Sequence, residues 1–105
     1  MNISIKVMYK NEKLQNMRMK ANMSQSQLAS KAEISVRVLQ DYERGARDIN
    51  GAKLSTLLKI CNALKCNLQD ILTDSDTLNR LKEYNKNNYK KKFLLLTRLL
   101  KIFIL

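Results

Sequence analysis

Histidine, proline and tryptophan are missing from the 105 residues, and glycine and cysteine occur only twice each. Each absence excludes something. Without histidine the chain lacks the side chain best suited to proton transfer near neutral pH and the commonest metal ligand. Cys61 and Cys66 have no neighbouring base to activate them. No metal-ligand set, paired carboxylates or Gly-rich phosphate loop accompanies them. The chain is therefore not expected to be an enzyme, to bind a small-molecule substrate, or to hold a metal or cofactor. With no proline and only two glycines, helix breakers are scarce, which points to an all-helical fold. The first residues lack the long apolar run of a signal peptide. A cytoplasmic, nucleoid-associated protein with reduced thiols is expected, Cys61 buried on an apolar stripe and Cys66 near a helix end.

Acidic residues are also scarce. Nine Asp and Glu stand against 20 Lys and Arg, a net charge of +11. Such an excess favours a polyanionic partner, nucleic acid first and an anionic membrane second. The excess is uneven: residues 1–23 carry +4 and residues 76–105 carry +6, whereas residues 24–50 balance to zero. Attraction by that central stretch would rest on where its charges sit.

That stretch organises the chain. Residues 24–45 read SQSQLASKAEISVRVLQDYERG. Ser24 can cap a first helix, whose apolar side is Leu28, Ala29 and Ala32. Ala29 is small where two steeply crossed helices would pinch. Glu33 and Ile34 make the turn, Ser35 caps a second helix, and Val38, Leu39 and Tyr42 form its inner side. Gly45 suits a left-handed position just past its end. Arg37, Gln40, Asp41 and Arg44 form a polar row expected to face water, and their side chains suit base-pair edges and phosphates.

These residues resemble the Xre/Cro/lambda-repressor type of bacterial and phage DNA-binding domain. The resemblance continues through LQNMRMKANMSQSQLA, ISVRVLQDYERG and LSTLLKICNALKCNLQDIL, from about Leu14 to Leu72, roughly three-fifths of the chain. It implies an all-α, five-helix lambda-repressor-like domain containing a helix-turn-helix. One departure is Glu33, where the family often has glycine; positive φ at a non-glycine residue costs about 1 kcal/mol.

The organisation that follows is an N-terminal arm at 1–10, a helix-turn-helix domain at 11–73 and a basic, apolar extension at 74–105. The arm alternates weakly (Ile3, Ile5, Val7) and is best read as a frayed terminus rather than a strand or a DNA-following arm. The first helix is expected over 11–21, with Leu14, Met17 and Ala21 inward and Met23 closing the corner. Asn50 is a candidate N-cap for a fourth helix with Leu54, Leu57, Leu58, Cys61 and Leu64 inward. Asn67 would cap a short fifth helix with Leu68, Ile71 and Leu72 inward. Leu78, Leu81 and Tyr84 then keep helical spacing. The closing stretch KKKFLLLTRLLKIFIL, helical or disordered, is too short and too charged for a membrane span, which needs roughly 20 apolar residues.

By the resemblance, the second hairpin helix, about 36–44, enters the major groove and the family's base-facing positions fall on Val36, Arg37, Gln40 and Asp41. Arg37 has the fork for guanine O6 and N7, and Gln40 the amide for adenine N6 and N7. Asp41 either accepts from cytosine N4 or orients Arg37 or Arg44, and Val36 suits a thymine methyl. Phosphate contacts are expected from Gln25, Ser35, Arg44, Arg47 and Lys53. The resemblance also implies a structural ion pair between Arg18 and Glu43.

Three readings of function compete. The first is a bacterial or phage transcriptional regulator, a repressor by preference, acting on double-stranded DNA as a homodimer whose contact lies in the apolar tail. The second is an antitoxin-type regulator whose tail covers a protein partner, a toxin. The third, ranked behind both, is a membrane-surface or interaction module whose tail docks on anionic lipid.

Overall fold

The computed structural model describes the backbone of residues 8–104 and the side chains of residues 8–88 and 95–100. All regular structure among them is helical, and the chain divides into two units, Met1–Asp74 and Ser75–Leu105. The expected arm falls largely on residues 1–7, which lie outside the described residues.

The first unit contains α1 (Glu12–Lys20), α2 (Gln25–Ala32), α3 (Val36–Glu43) and α4 (Leu54–Leu64), with 3-10 turns at Ile49–Gly51 and Leu68–Asp70. Helix α2 packs on both α3 and α4, and α1 packs on α3. Leu14, Leu28, Leu39, Ile49, Ile60 and Ile71 are fully buried, drawn from nearly every element. Each such side chain contributes roughly 1.5–3 kcal/mol relative to leaving it in water. Ala29 and Ala32 are buried where α2 meets its neighbours.

The hairpin's ends follow local chemistry. The Ser24 hydroxyl accepts the Gln27 N–H at 3.1 Å, and the Gln27 side-chain oxygen accepts the Ser24 N–H at 2.8 Å. This reciprocal pair satisfies two donors that a helix start leaves open. Ser35 caps α3 by accepting the Val38 N–H at 3.0 Å. Glu33 takes the left-handed conformation at φ 57°, so α2 ends without the usual glycine. Gly45 has φ 78°, and a Cβ there would sit 2.8 Å from the Tyr9 carbonyl oxygen. Its own carbonyl accepts the Tyr9 N–H at 3.0 Å. Both the backbone angle and the close approach call for glycine.

Several sequence expectations are corrected. Ala21 is exposed because α1 stops at Lys20 and Ala21 already belongs to the turn. Asn50 does not cap α4, which starts after Lys53 with no side-chain cap. Asn50 lies in the first 3-10 turn, where its amide oxygen accepts the N–H groups of Thr73 and Asp74 at 2.8 and 2.9 Å. Its amide nitrogen donates to Thr73 Oγ1 at 2.8 Å, so it ties the end of the unit to its middle. Leu54 and Leu58 are 61% and 45% exposed, whereas Ile60 and Ala63 are buried. The inward face of α4 is turned because α2 and the second 3-10 turn pack against it. The fifth element is a 3-10 turn rather than an α-helix, with Ile71 and Leu72 buried and Leu68 only half-buried.

Asn11 was not singled out by sequence, yet it is almost fully buried. Its amide nitrogen donates to the carbonyls of Tyr42 and Arg47 at 2.8 and 2.6 Å, and its oxygen accepts the Ile49 N–H at 3.3 Å. Cys61 is buried and Cys66 half-buried, and both thiols are free. Burial, aided by the neighbouring Cys66, pushes the Cys61 thiol up to about 12. It stays protonated and unreactive at neutral pH.

The second unit is one helix, α5 (Ser75–Ile104). Leu78 and Leu81 are half-buried and Tyr84 is exposed. Among the described residues no helix is long and apolar enough to cross a membrane.

Arg18 and Glu43 join α1 to the end of α3. The Arg18 Nε donates to both Glu43 oxygens at 3.1 and 2.9 Å, and its second terminal nitrogen to Oε1 at 2.8 Å. The other terminal nitrogen donates to the Met23 carbonyl at 2.8 Å. The two side chains are only 13% and 3% exposed. Removing one partner strands the other charge in a dry site, so Glu43→Ala should lower unfolding free energy by about 3–5 kcal/mol. Replacing both residues with methionine should cost much less. Urea unfolding of the three variants checks this; a double variant as unstable as the single one would contradict it.

Candidate nucleic-acid interface

At about 100° per residue, Val36, Arg37, Gln40 and Arg44 fall on one side of α3, opposite Leu39 and Tyr42. The side chains follow that division: Val36, Arg37, Gln40 and Arg44 are exposed, Leu39 and Tyr42 are buried, and Val38 is half-buried at the margin. The outer row begins at the capped, N-terminal end of α3.

Asp41 departs from the expected row. It sits at the edge of the buried side, its side chain only 12% exposed. One carboxylate oxygen accepts from Arg44 at 2.6 Å and the other from Arg47 Nε at 3.1 Å. Of the two roles open to it, the geometry is that of an orienting group, directed at Arg44 and Arg47. The two arginine side chains remain 67% and 55% exposed, so each gives up part of its fork to Asp41 and keeps the rest toward solvent. The Arg44 guanidinium bonded to it, with Arg47 beside it, holds the Asp41 carboxyl below its ordinary value against the opposing effect of burial.

Gln25 opens α2 next to α3, and its side-chain oxygen lies 3.4 Å from the Gln40 amide nitrogen, a long contact. With Gln15, Glu43 and Arg44 these two glutamines line an open cleft of about 290 Å³ between α1, α2 and α3. Gln15 is a lining residue that the sequence reading missed; it lies three positions before Arg18 and shares its helix face. Ser35 is exposed with its oxygen engaged in the cap, and Lys53 is exposed before α4. The structure thus gathers Gln25, Ser35, Val36, Arg37, Gln40 and Arg44 on α2 and α3, with Arg47 attached through Asp41. Lys53 stands on a separate element. Among the described residues no group of His, Cys, Asp and Glu is arranged to hold a metal ion.

A family model for the Cro/C1-type HTH DNA-binding domain matches residues 13–77, more than half of the chain. The chain belongs to the Cro/C1-type helix-turn-helix family. Two solved structures share the fold of this Cro/C1-type domain. The restriction-modification controller protein C.AhdI from Aeromonas hydrophila is 25% identical, with a TM-score of 0.52 over 57% of this chain and 86% of its own. The clp gene regulator ClgR from C. glutamicum is 23% identical, with a TM-score of 0.50 over 57% of this chain and 74% of its own. No curated protein sequence matches the chain. In the Cro/C1-type domain, α2 and α3 are the helix-turn-helix and α3 is its second helix, the one that presents the exposed row.

The Asp41 pairings give a pH signature. A carboxylate whose folded pKa is depressed adds stability above its unfolded value, and this is lost as pH falls through the folded value. The native chain should therefore be more stable than Asp41→Asn at about pH 6 and should lose that advantage progressively as pH falls below the ordinary carboxylate value of about 3.9. Denaturant midpoints measured across this range test it; a difference that does not change with pH would refute the assignment.

Proposed function

We propose that this chain is a sequence-specific, double-stranded-DNA-binding transcriptional regulator, a repressor of bacterial or phage origin. The single observation that carries the reading is the exposed row of Val36, Arg37, Gln40 and Arg44 on a helix whose far end is pinned by the Arg18–Glu43 pair. Membership of the Cro/C1-type family and the likeness to a controller protein support it.

In this reading α3 lies in the major groove with its N-terminal half against the bases. Arg37 forks onto guanine and Gln40, steadied by Gln25, faces adenine. Val36 offers its methyls to thymine. Gln25 and Ser35, close to helix N-termini, approach phosphates, as do Arg44, Arg47 and Lys53. Asp41 stays behind this surface and aims Arg44 and Arg47.

Arg37→Ala should weaken binding to the preferred duplex by about 1–3 kcal/mol and relax the base preference at one position. Binding to random duplex should change far less. Arg47→Ala should weaken both alike and lower the slope of affinity against salt by about one. Titrations of selected and random duplexes at several salt concentrations measure both effects. Equal losses on the two duplexes for Arg37→Ala would remove its base-reading role.

A single hairpin spans only a few base pairs, so we infer a two-fold dimer with half-sites about 34 Å apart. In place of the apolar tail that the sequence suggests, Leu54 and Leu58, four residues apart on α4 and both exposed, give the first unit its own apolar surface for that contact. Leu54→Glu combined with Leu58→Glu should shift the free chain to monomer and weaken operator binding about tenfold or more, which is about 1.4 kcal/mol. At concentrations low enough for the native chain to be monomeric the unfolding midpoint should be unchanged, since neither side chain is in the core; at higher concentrations the native midpoint should rise above that of the variant. Sedimentation equilibrium decides; a native chain that stays monomeric both free and on DNA contradicts the dimer.

A further inference from the structure

DNA recognition leaves the second unit unused. Near the end of α5, Leu95, Leu96, Leu99 and Leu100 are all 52–60% exposed. Positions i, i+1, i+4 and i+5 fall within an arc of about 140° on an α-helix, so the four leucines make one apolar face. Arg98 lies outside that arc and is exposed. Four contiguous exposed leucines mark a surface that is covered in use.

The surrounding sequence chemistry selects the cover. No Asp or Glu follows Glu83, while Lys86, Lys90, Lys91, Lys92, Arg98 and Lys101 add six positive charges. A second copy of α5 would set like charge against like, with no acid in that stretch to offset it. Within α5 the apolar stretch, residues 93–104, makes only about 18 Å of helix, short of the roughly 30 Å hydrocarbon core of a bilayer. Arg98 and Lys101 interrupt it as well. A helix of this composition lies along a membrane rather than through it. Four identical leucines supply depth without register, which suits a fluid surface better than a shaped protein groove.

We propose that α5 docks on an anionic membrane surface, its leucine face sunk to the level of the acyl chains and its basic sequence neutralising lipid phosphates. Apolar burial and electrostatic attraction act together in such helices. The inference stands on α5 alone and is independent of the DNA reading.

Flotation of the full chain with vesicles tests it. Vesicles of phosphatidylcholine with roughly one third phosphatidylglycerol should carry the protein upward, and pure phosphatidylcholine should carry about tenfold less. High salt should release it. Leu95→Glu combined with Leu99→Glu should reduce flotation at least about tenfold while leaving duplex binding and the unfolding midpoint of the first unit unchanged. Failure of the native chain to float, or equal flotation of the double variant, overturns the proposal. So does self-association that the double variant abolishes when neither protein floats, because the cover is then a second copy. A chain that floats but binds no duplex leaves this proposal standing and sinks the regulator reading alone.

Discussion

The tilt of α3 depends on one ion pair held away from water. Glu43 closes the helix, Arg18 reaches it from α1, and the spare guanidinium nitrogen holds the Met23 carbonyl at the corner before α2. One cation therefore joins three segments. The Coulomb gain is largely offset by desolvation, so the chief result is a fixed direction rather than net stability. Two uncharged ties act at the same end: Asn11 bonds the carbonyls of Tyr42 and Arg47, and Gly45 accepts from Tyr9. The other end of α3 carries a Ser35 cap and remains open. Pinning is concentrated where bases would not be, and the side chains suited to bases sit where the helix is accessible.

The hairpin was legible because its determinants are local. Ser24 and Gln27 form a reciprocal cap three residues apart, Ser35 caps its own helix, and Gly45 is needed by its own φ. Glu33 adopts the left-handed conformation that the turn demands, despite its side chain. Residues whose partners are distant were misread. Asn50 has the local look of an N-cap, but the shortest hydrogen bonds of its side chain run to Thr73, 23 positions away. Asn11 spans 31 to 38 positions to its partners, and no short-range pattern announces it. In α4, periodicity identified the helix but not its inward arc, because Ile60 and Ala63 widen the apolar face and packing chose their side.

Asp41 shows the same limit inside the site. Helical spacing places it with Arg37 and Arg44, which is why it reads as part of an exposed row. Its side chain turns in because Arg47, beyond the end of the helix, supplies a second cation. Three residues then act as one unit, in which a sheltered carboxylate spends one oxygen on each guanidinium and narrows the directions in which both can point. Such an arrangement trades local positive potential for orientation, and this fits a central stretch whose formal charge is zero.

Net charge alone therefore says little about what this chain meets. Duplex and anionic lipid are both polyanions, and salt weakens attachment to either. What separates them is the chemistry beside the charge. A groove edge offers donors and acceptors in fixed places, which arginine and glutamine on a pinned helix can match. A bilayer offers apolar depth without fixed places, which a face of leucines can match. The first unit holds the former arrangement, with acids interleaved to aim its cations. The second holds the latter, with no acid after Glu83. The two excesses of positive charge are thus set in different surroundings, one interleaved with acids on a pinned helix and the other beside a leucine face with no acid nearby.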